Sequence, residues 1–187
     1  MSEHFGQMNA PASHAPLGHV ASLHLHPRES GTPFQSVKAV ELVAAKGIVD
    51  DQRFFGRVSR SSGEPSRRQV SLIEREQIAE HAAALGLEGI PPGAARANVE
   101  TEGINLVALV GRHIQVGSAM LYLYEPRKPC PKMDLVCQGL QARMSNGRQG
   151  VMAEVVRSGS IRCGDAITVL ENGATADGPG ATTPRAS

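Results

Sequence analysis

The apolar residues of this 187-residue chain occur in short runs, rich in Val and Ile, which end at Gly or Pro. Runs of this kind are typical of β-strands rather than of long amphipathic helices. The predicted strands span residues 18–26, 37–43, 113–116, 119–124, 150–157 and 166–170. Short strands at this spacing favour a closed or sandwiched sheet over alternating βαβ units. The sequence therefore predicts a mainly β fold.

Two strand pairs have recognisable connections. Gly117 and Ser118 separate 113–116 from 119–124, which is the pattern of a tight hairpin. We expect the strands at 150–157 and 166–170 to form a last pair around the connection 159–165.

One helix has a clear start and stop. Ser71 and Glu74 have the spacing of a capping box, in which each side chain accepts from the other residue's backbone amide. Ile78 and Ala82 then recur at helical spacing before Gly86, a common helix terminator. We predict one firm helix at about 72–85 and a weaker helical turn at 106–110.

Composition limits the domain and the class of protein. Residues 171–187 contain no Val, Ile, Leu, Met or aromatic side chain, so we expect a disordered tail there, a flexible lead at 1–17 and one domain at 18–170. Only four Phe and two Tyr are present, without Trp, which predicts an aliphatic core. No apolar run approaches the ~18 residues of a membrane span. The start lacks a secretory signal pattern, and we expect a cytoplasmic protein. A net charge of +1 argues against a nucleic-acid binder.

Cys130 has the most reactive surroundings of the three cysteines. Arg127, Lys128 and Lys132 lie within three residues of it, and neighbouring cations favour a nucleophilic, metal-ligating thiolate. Pro129 and Pro131 stiffen the segment and keep it out of a sheet interior. The alternative is a proline-rich surface loop with an unreactive thiol. We expect Cys137 and Cys163 to be structural thiols, with all three cysteines reduced.

Anion-binding candidates lie in two places. The span 53–68 is rich in arginine, and Arg68 adjoins the ordered segment that follows, whereas we interpret the other arginines as charges on a mobile loop. Arg96 and Asn98, two residues apart, would share one face of an extended strand and form an anion or heterocycle clamp. A turn-stabilising asparagine is the commoner outcome.

Two other polar pairs suggest little. His24 and His26 share a strand face but have no third ligand nearby, so we interpret them as ordinary strand residues. Asp50 and Asp51 follow Gly47 and fit an Asp-capped turn better than a cation site.

Several short motifs, taken together and in order, resemble the MOSC domain, the molybdenum cofactor sulfurase C-terminal module. Each is weak by itself, and their shared order carries the resemblance. The matching segments are 18–20, 46–51, 68–73, 96–98 with 103–104, 111–119, 126–130, 150–151 and 159–165.

The resemblance implies a β-barrel-like fold that holds the molybdenum cofactor. In the family a cysteine thiolate ligates the metal or carries sulfur, and Cys130 occupies that position, so it is the expected catalytic and metal-binding residue. A soft thiolate suits a sulfur-bound transition metal. The cofactor also carries a phosphate, which needs a cationic wall. The residues at the implied cofactor-binding positions are Lys46, Arg68, Arg96, Asn98 and Arg127.

The resemblance leaves three functions open. The first is a molybdoenzyme component that reduces N-hydroxylated or N-oxygenated small molecules with electrons from a separate reductase. The second is a persulfide sulfur carrier or cofactor chaperone served by a sulfurtransferase. The third is a non-catalytic binding module. Only 17 residues precede the predicted domain, so we expect neither a pyridoxal-phosphate sulfurase domain nor pyridoxal phosphate on this chain. Oligomeric state is not predicted.

Overall fold

The computed structural model describes residues 15–29 and 31–170. The predicted tail at 171–187 and most of the predicted lead, 1–14, lie outside the described residues. The strands are β1 (Gly18–Leu25), β2 (Gln35–Val37), β3 (Ala39–Val43), β4 (Gly47–Ile48), β5 (Val70–Glu74), β6 (Val99–Glu102), β7 (His113–Val116), β8 (Ala119–Pro126), β9 (Val151–Arg157), β10 (Gly159–Arg162) and β11 (Ala166–Leu170). The helices are α1 (Arg75–Ala84) and α2 (Leu140–Arg143), and 3₁₀ turns lie at Val107–Leu109 and Pro131–Leu135.

Seven strands close into a barrel. Their order is β11-β7-β8-β9-β5-β6-β1, and β1 returns to β11 through the pairs Gly18–Ile167 and His19–Ala166. Closure removes the exposed sheet edges that invite aggregation. All neighbours are antiparallel except β5 and β6, which run parallel with Leu72 opposite Val99. The expected mainly β, barrel-like fold with one firm helix is confirmed.

A smaller sheet lies beside the barrel. It has the order β10-β3-β4, whereas β2 extends the barrel sheet from β1. The predicted strand 37–43 is therefore two strands, which part at Lys38 and join different sheets.

The last predicted strand pair is wrong. β9 pairs with β5 and β8, while β11 pairs with β1 and β7. The expected connection at 159–165 contains β10, which pairs with β3. By contrast, the predicted hairpin at Gly117 and Ser118 is present between β7 and β8.

The capping-box interpretation of Ser71 and Glu74 is also wrong. Both residues belong to β5, which is buried along its whole length, and the helix begins only at Arg75. The Ser71 hydroxyl donates to Asn98 Oδ1 at 2.8 Å, and Glu74 Oε1 accepts from the backbone N–H of Leu106 at 2.8 Å. Neither side chain caps α1.

Two hydrophobic clusters explain why β5 is buried on both faces. Val70 and Leu72 point into the barrel core, and Ile73 belongs to a second core beneath α1. A strand buried on both faces lacks the alternation of a half-exposed one, so its sequence resembles the first turn of a buried helix. The second core contains Ile73, Ile78, Ala82, Ile90, Ala95, Ala97, Met133, Leu140 and Met144.

The barrel core is aliphatic, as the composition predicted. Among the described residues, Phe34 and Phe54 are buried aromatic side chains, and both pack against His26. None of the helices within these residues is long and apolar enough to cross a membrane.

Candidate functional site

A polar cleft of about 530 Å³ opens beside the loop that follows β8. This volume lies within the range of about 300–1,000 Å³ that is usual for small-molecule sites. Cations dominate its wall, and Glu125 is the one acid among the described residues that line it. The lining consists of His26, Arg53, Phe54, Arg68, Ser71, Arg96, Glu125, Arg127, Lys128, Cys130, Pro131, Lys132, Gln149 and Met152.

Cys130 lies in the cleft wall at the start of the 3₁₀ turn Pro131–Leu135. Its backbone is extended, and its carbonyl oxygen accepts from the N–H of Met133 at 3.0 Å. The side chain is half-buried and packs against the second core, whose buried Met133 anchors the turn. The thiol therefore has a fixed position that remains reachable from the cleft.

Arg127 is held by hydrogen bonds of its backbone and of its guanidinium group. Its backbone N–H donates to the Gly150 carbonyl oxygen at 2.9 Å. Its guanidinium donates to the Gln149 carbonyl oxygen at 3.2 Å and to the Arg96 carbonyl oxygen at 2.7 Å. The pKa of Arg127 is lowered to about 10, mainly by burial, with Arg68 and Arg96 acting in the same direction and Cys130 opposing them. A desolvated cation of this kind attracts an anion more strongly than an exposed one.

Arg96 reaches the cleft from a left-handed turn, not from a strand. Its φ is +56°, so it does not share an extended face with Asn98 as the sequence suggested. Its guanidinium carbon lies 4.8 Å from the centre of the Phe34 ring, and burial lowers its pKa. Arg68 is exposed, lines the same cleft and lies 5.8 Å from the Phe54 ring centre.

Asn98 lies behind the cleft wall and is fully hydrogen-bonded. Its Oδ1 accepts from the N–H and the hydroxyl of Ser71 at 3.1 and 2.8 Å. Its Nδ2 donates to the His24 carbonyl oxygen at 3.1 Å and to Asp51 Oδ2 at 2.8 Å. This geometry makes Asn98 a brace between β1, β5 and the Asp51 turn. Its side chain has no free polar atom for the predicted contact with a cofactor.

Lys46 lies apart from the other predicted residues. It is exposed in the turn between β3 and β4 and does not line the cleft. Thus Cys130, Arg68, Arg96 and Arg127 come together as the sequence suggested, while Lys46 and Asn98 do not line the cleft with them.

Sequence reasoning missed His26 as a site residue. The chain leaves β1 at His26, whose ring lies against Phe34 and Phe54 with centroid distances of 4.3 and 4.5 Å. Its Nδ1 is 2.8 Å from Asp51 Oδ2. Twenty-five residues separate this pair, so no local spacing in the sequence indicates it.

Gln149 and Arg53 are further lining residues that the sequence did not single out. Gln149 is 1% exposed, and within the described part of the chain its Oε1 has no hydrogen-bond partner. Arg53 belongs to the arginine-rich span that we expected to be loop charge. Arg67, by contrast, is bound outside the cleft by Glu154 at 2.7 Å and stacks on Tyr124.

The fold and this cleft define a class of protein: a small closed β-barrel with a cleft in which a thiol lies among cationic side chains. The model of the MOSC domain family matches residues 16–168, and the chain belongs to that family. Related members of the family bind the molybdenum cofactor.

Solved structures with the same fold include the YuaD protein from Bacillus subtilis, with a TM-score of 0.68 and 22% identity over 80% of this chain and 93% of that one. YiiM from Geobacillus stearothermophilus gives a TM-score of 0.65 and 18% identity, covering 85% of this chain and 78% of that one. YiiM from Escherichia coli gives 0.60 and 16%, covering 84% and 71%. These identities establish a likeness of fold alone. No curated protein sequence matches the chain.

Proposed function

We propose that the Cys130 cleft binds the molybdenum cofactor and that the protein reduces N-hydroxylated or N-oxygenated small molecules with electrons from a separate reductase. The observation that carries this proposal is the convergence of Cys130, Arg68, Arg96 and Arg127 on one cleft. A thiolate is a soft ligand suited to a sulfur-bound metal. The same wall supplies the positive charge that a phosphate requires.

The cationic wall fits the phosphate of such a cofactor. Arg127 and Arg96 are both partly desolvated, and burial is the main cause of their lowered pKa values. Guanidinium groups bind phosphate through paired N–H donors, and such charge-assisted hydrogen bonds are about twice as strong as neutral ones. Two N–H groups of Arg127 already donate to carbonyl oxygens. Arg96 and Arg68 therefore have more N–H donors available for an anion.

Gln149 fits the heterocyclic part of the cofactor. A buried acceptor without a partner costs about 1–3 kcal/mol, so a ligand that donates to it gains that free energy. Oε1 of Gln149 is such an acceptor, and its residue lines the cleft. The N–H groups of a pterin ring are donors of the right chemistry.

The protein's own residues would hold and shield the reacting groups. The molybdenum cofactor, when bound, supplies the redox-active metal. Cys130 would hold the metal through its sulfur, and the buried Phe54 keeps one side of the cleft apolar. Lys128 and Glu125 are exposed residues of the cleft wall that a small substrate would contact.

Metal content tests the binding part of this proposal. The protein is purified from a host that makes the cofactor, and molybdenum is measured by elemental analysis in wild type, Cys130→Ala and Cys137→Ala. Cys137 is the matched control because it is also half-buried and packs on the same second core. We expect about one molybdenum per chain in wild type and Cys137→Ala and a large loss in Cys130→Ala. Equal content in all three proteins, or none in wild type, contradicts the proposal.

A turnover assay tests the reductase part. Loaded protein, a reductase and an N-hydroxylated base are mixed, and formation of the reduced base is followed. Product that depends on all three components supports the proposal, and loaded protein without turnover contradicts the reductase part alone.

A second candidate function is sulfur carriage by Cys130. The observation in its favour is that this thiol is half-exposed to an open, cationic cleft. Incubation with a sulfurtransferase followed by mass spectrometry distinguishes the two functions, because a persulfide adds one sulfur atom, about 32 Da, to Cys130. An adduct confined to Cys163, the exposed thiol, contradicts sulfur carriage in the cleft.

A further inference from the structure

We propose that His26, held by Asp51, is the proton-transferring residue of the Cys130 cleft. This inference rests on the reductive function proposed above and names a residue that the sequence analysis set aside. It is carried by the hydrogen bonds of Asp51, by the packing of the His26 ring and by the place of His26 in the cleft wall.

Asp51 is built to remain ionised. Its Oδ2 accepts from the backbone N–H of His26 at 3.1 Å, from His26 Nδ1 at 2.8 Å and from Asn98 Nδ2 at 2.8 Å. Its Oδ1 accepts from the backbone N–H groups of Arg53 and Phe54 at 3.1 and 2.8 Å. Burial by itself would raise the pKa of Asp51, but these hydrogen bonds outweigh it and lower the pKa. Every contact requires a carboxylate that accepts.

An ionised Asp51 fixes the tautomer of His26. Because the carboxylate only accepts, the proton of the neutral imidazole must lie on Nδ1. Nε2, on the other edge of the ring, then carries the lone pair. Within the described part of the chain no side chain or backbone group hydrogen-bonds to Nε2, and the residue lines the cleft at 7% exposure. This atom is therefore available to a molecule in the cleft.

The ring is also prevented from turning. Phe34 and Phe54 pack on it at centroid distances of 4.3 and 4.5 Å, tilted by 52° and 65°. Flipping the ring would break the contact with Asp51, and Asn98 braces Asp51 from behind. Fixed orientation by a second group is the usual requirement for an acid–base residue.

The arginines of the cleft wall are poor proton donors near neutral pH. Arginine remains charged, and even the lowered pKa of Arg127 is about 10. Burial is the main cause that lowers the pKa of His26, with Arg53 and Arg96 acting in the same direction and Asp51 opposing them. A protonated His26 is consequently a stronger acid than an exposed histidine, and Asp51 stabilises its charge at the moment of transfer.

The proton balance of the proposed reaction needs such a group. In R–NH–OH + 2 e⁻ + 2 H⁺ → R–NH₂ + H₂O, the N–O bond breaks and the reductase supplies both electrons. The imidazolium of His26 donates one proton from Nε2 to the departing oxygen, which leaves as water. The amine nitrogen takes the second proton from solvent, and His26 is reprotonated by solvent for the next cycle.

Nuclear magnetic resonance of the cofactor-free protein tests the geometry. We expect the ¹⁵N and ¹H signals of His26 at pH 7.5 to report a neutral ring protonated at Nδ1. In Asp51→Asn the preference for this tautomer should be lost, while the exposed His19 stays unchanged. A His26 ring that is protonated at Nε2 in the wild type overturns the proposal without reference to cofactor or activity.

Kinetics of the loaded protein tests the role. Asn at position 26 keeps an N–H near the place of Nδ1 but has no Nε2, so His26→Asn should keep its fold and its molybdenum. Proton transfer by a positioned group contributes about 10²–10⁴-fold, so we expect kcat to fall at least about 10²-fold with KM nearly unchanged. The matched control is His19→Asn, because His19 is half-exposed on the far part of β1 beside Glu102. It should turn over like wild type.

The outcomes separate the two proposals. A wild-type protein that holds no molybdenum, or that does not reduce the substrate, overturns the reductive function and the role of His26 with it. A loaded, active wild type beside an equally active, loaded His26→Asn overturns only the role of His26. Should His26→Asn fail to fold, the tautomer measured in the wild type decides the geometry.

Discussion

The guanidinium of Arg127 donates to the carbonyl oxygen of Arg96 at 2.7 Å. This bond ties the loop after β8, which carries Cys130, to the left-handed turn before β6. Two cations of the cleft thus hold each other in place through a backbone carbonyl rather than through a carboxylate. Among the described residues no carboxylate forms an ion pair with either guanidinium, so their positive charge is available to an anion.

Replacement of Arg127 should therefore destabilise the fold as well as the site. Arg127→Met removes the donors to two carbonyl oxygens, of Arg96 and Gln149. We expect the free energy of unfolding to fall by about 1–3 kcal/mol, which urea titration measures. The exposed Arg60 is the control, and Arg60→Met should change stability by less than about 0.5 kcal/mol. Equal effects at both positions would show that the carbonyl contacts are not important for stability.

Asn98 should behave as a structural brace. Asn98→Ala leaves the Ser71 hydroxyl and its N–H without their acceptor and removes a donor from Asp51. We expect a loss of about 3 kcal/mol in urea titration, since each unsatisfied buried group costs about 1–3 kcal/mol. Asn98→Asp should be worse at pH 7 than at pH 5, because a second carboxylate then faces Asp51. A mild effect of Asn98→Ala on stability, together with a large effect on cofactor loading, would instead assign Asn98 to direct binding.

Gly150 should tolerate no side chain. Its φ is +73°, and an added Cβ would collide with the Leu72 carbonyl oxygen and with Ile73 of β5. We expect Gly150→Ala to cost about 3 kcal/mol or more, from strain and overpacking together. Gly164 has φ +89° with open space around it. Gly164→Ala therefore measures only the cost of placing a Cβ at a positive φ, about 1–2 kcal/mol. Thermal melting of both variants measures the difference, and equal melting temperatures would contradict the collision.

Stability should fall as the pH drops below neutrality. Burial lowers the pKa values of His24, His26 and His81 from 6.5 in the folded protein. Below pH 6.5 the unfolded chain therefore binds more protons than the folded protein. The contribution of the neutral histidines to the free energy of unfolding is fully present above that pH and is lost as the pH falls through their lowered pKa values. Asp51, with its lowered pKa, acts in the same direction at more acidic pH, while the raised pKa of Glu74 opposes it. The midpoint of urea unfolding should therefore be lower at pH 5 than at pH 7.5.

A variant of His81 separates titration from hydrogen bonding. His81 Nε2 lies 2.7 Å from the carbonyl oxygen of Arg148. In His81→Gln the amide N–H can replace this donor but cannot titrate, so the decrease in stability between pH 7.5 and 5 should become smaller. An unchanged decrease would assign the pH dependence to the other buried histidines.

Local patterns in the sequence were sufficient to predict much of the barrel. Gly117 and Ser118 predicted a hairpin correctly because turn residues and flanking strands are adjacent in the chain. The segment around Cys130 was recognisable for the same reason, since its cations and prolines lie within a few residues. The span of β5 was misread because both of its faces are buried, which removes the alternation that distinguishes a strand from a helix.

The cleft itself depended on tertiary structure. His26 follows β1 of the barrel, whereas Asp51 follows β4 of the smaller sheet, and the two side chains meet although they lie 25 positions apart in the sequence. Pairing of β6 with β1 and β5 buries Asn98 as a brace, and Lys46 lies on the exposed turn between β3 and β4 of the smaller sheet. The sequence alone determined a mainly β domain with a cysteine among cations, because these properties come from neighbouring residues. Only the tertiary structure decided which cations and which histidine line the same cleft as that cysteine, because contacts between distant segments of the chain set that arrangement.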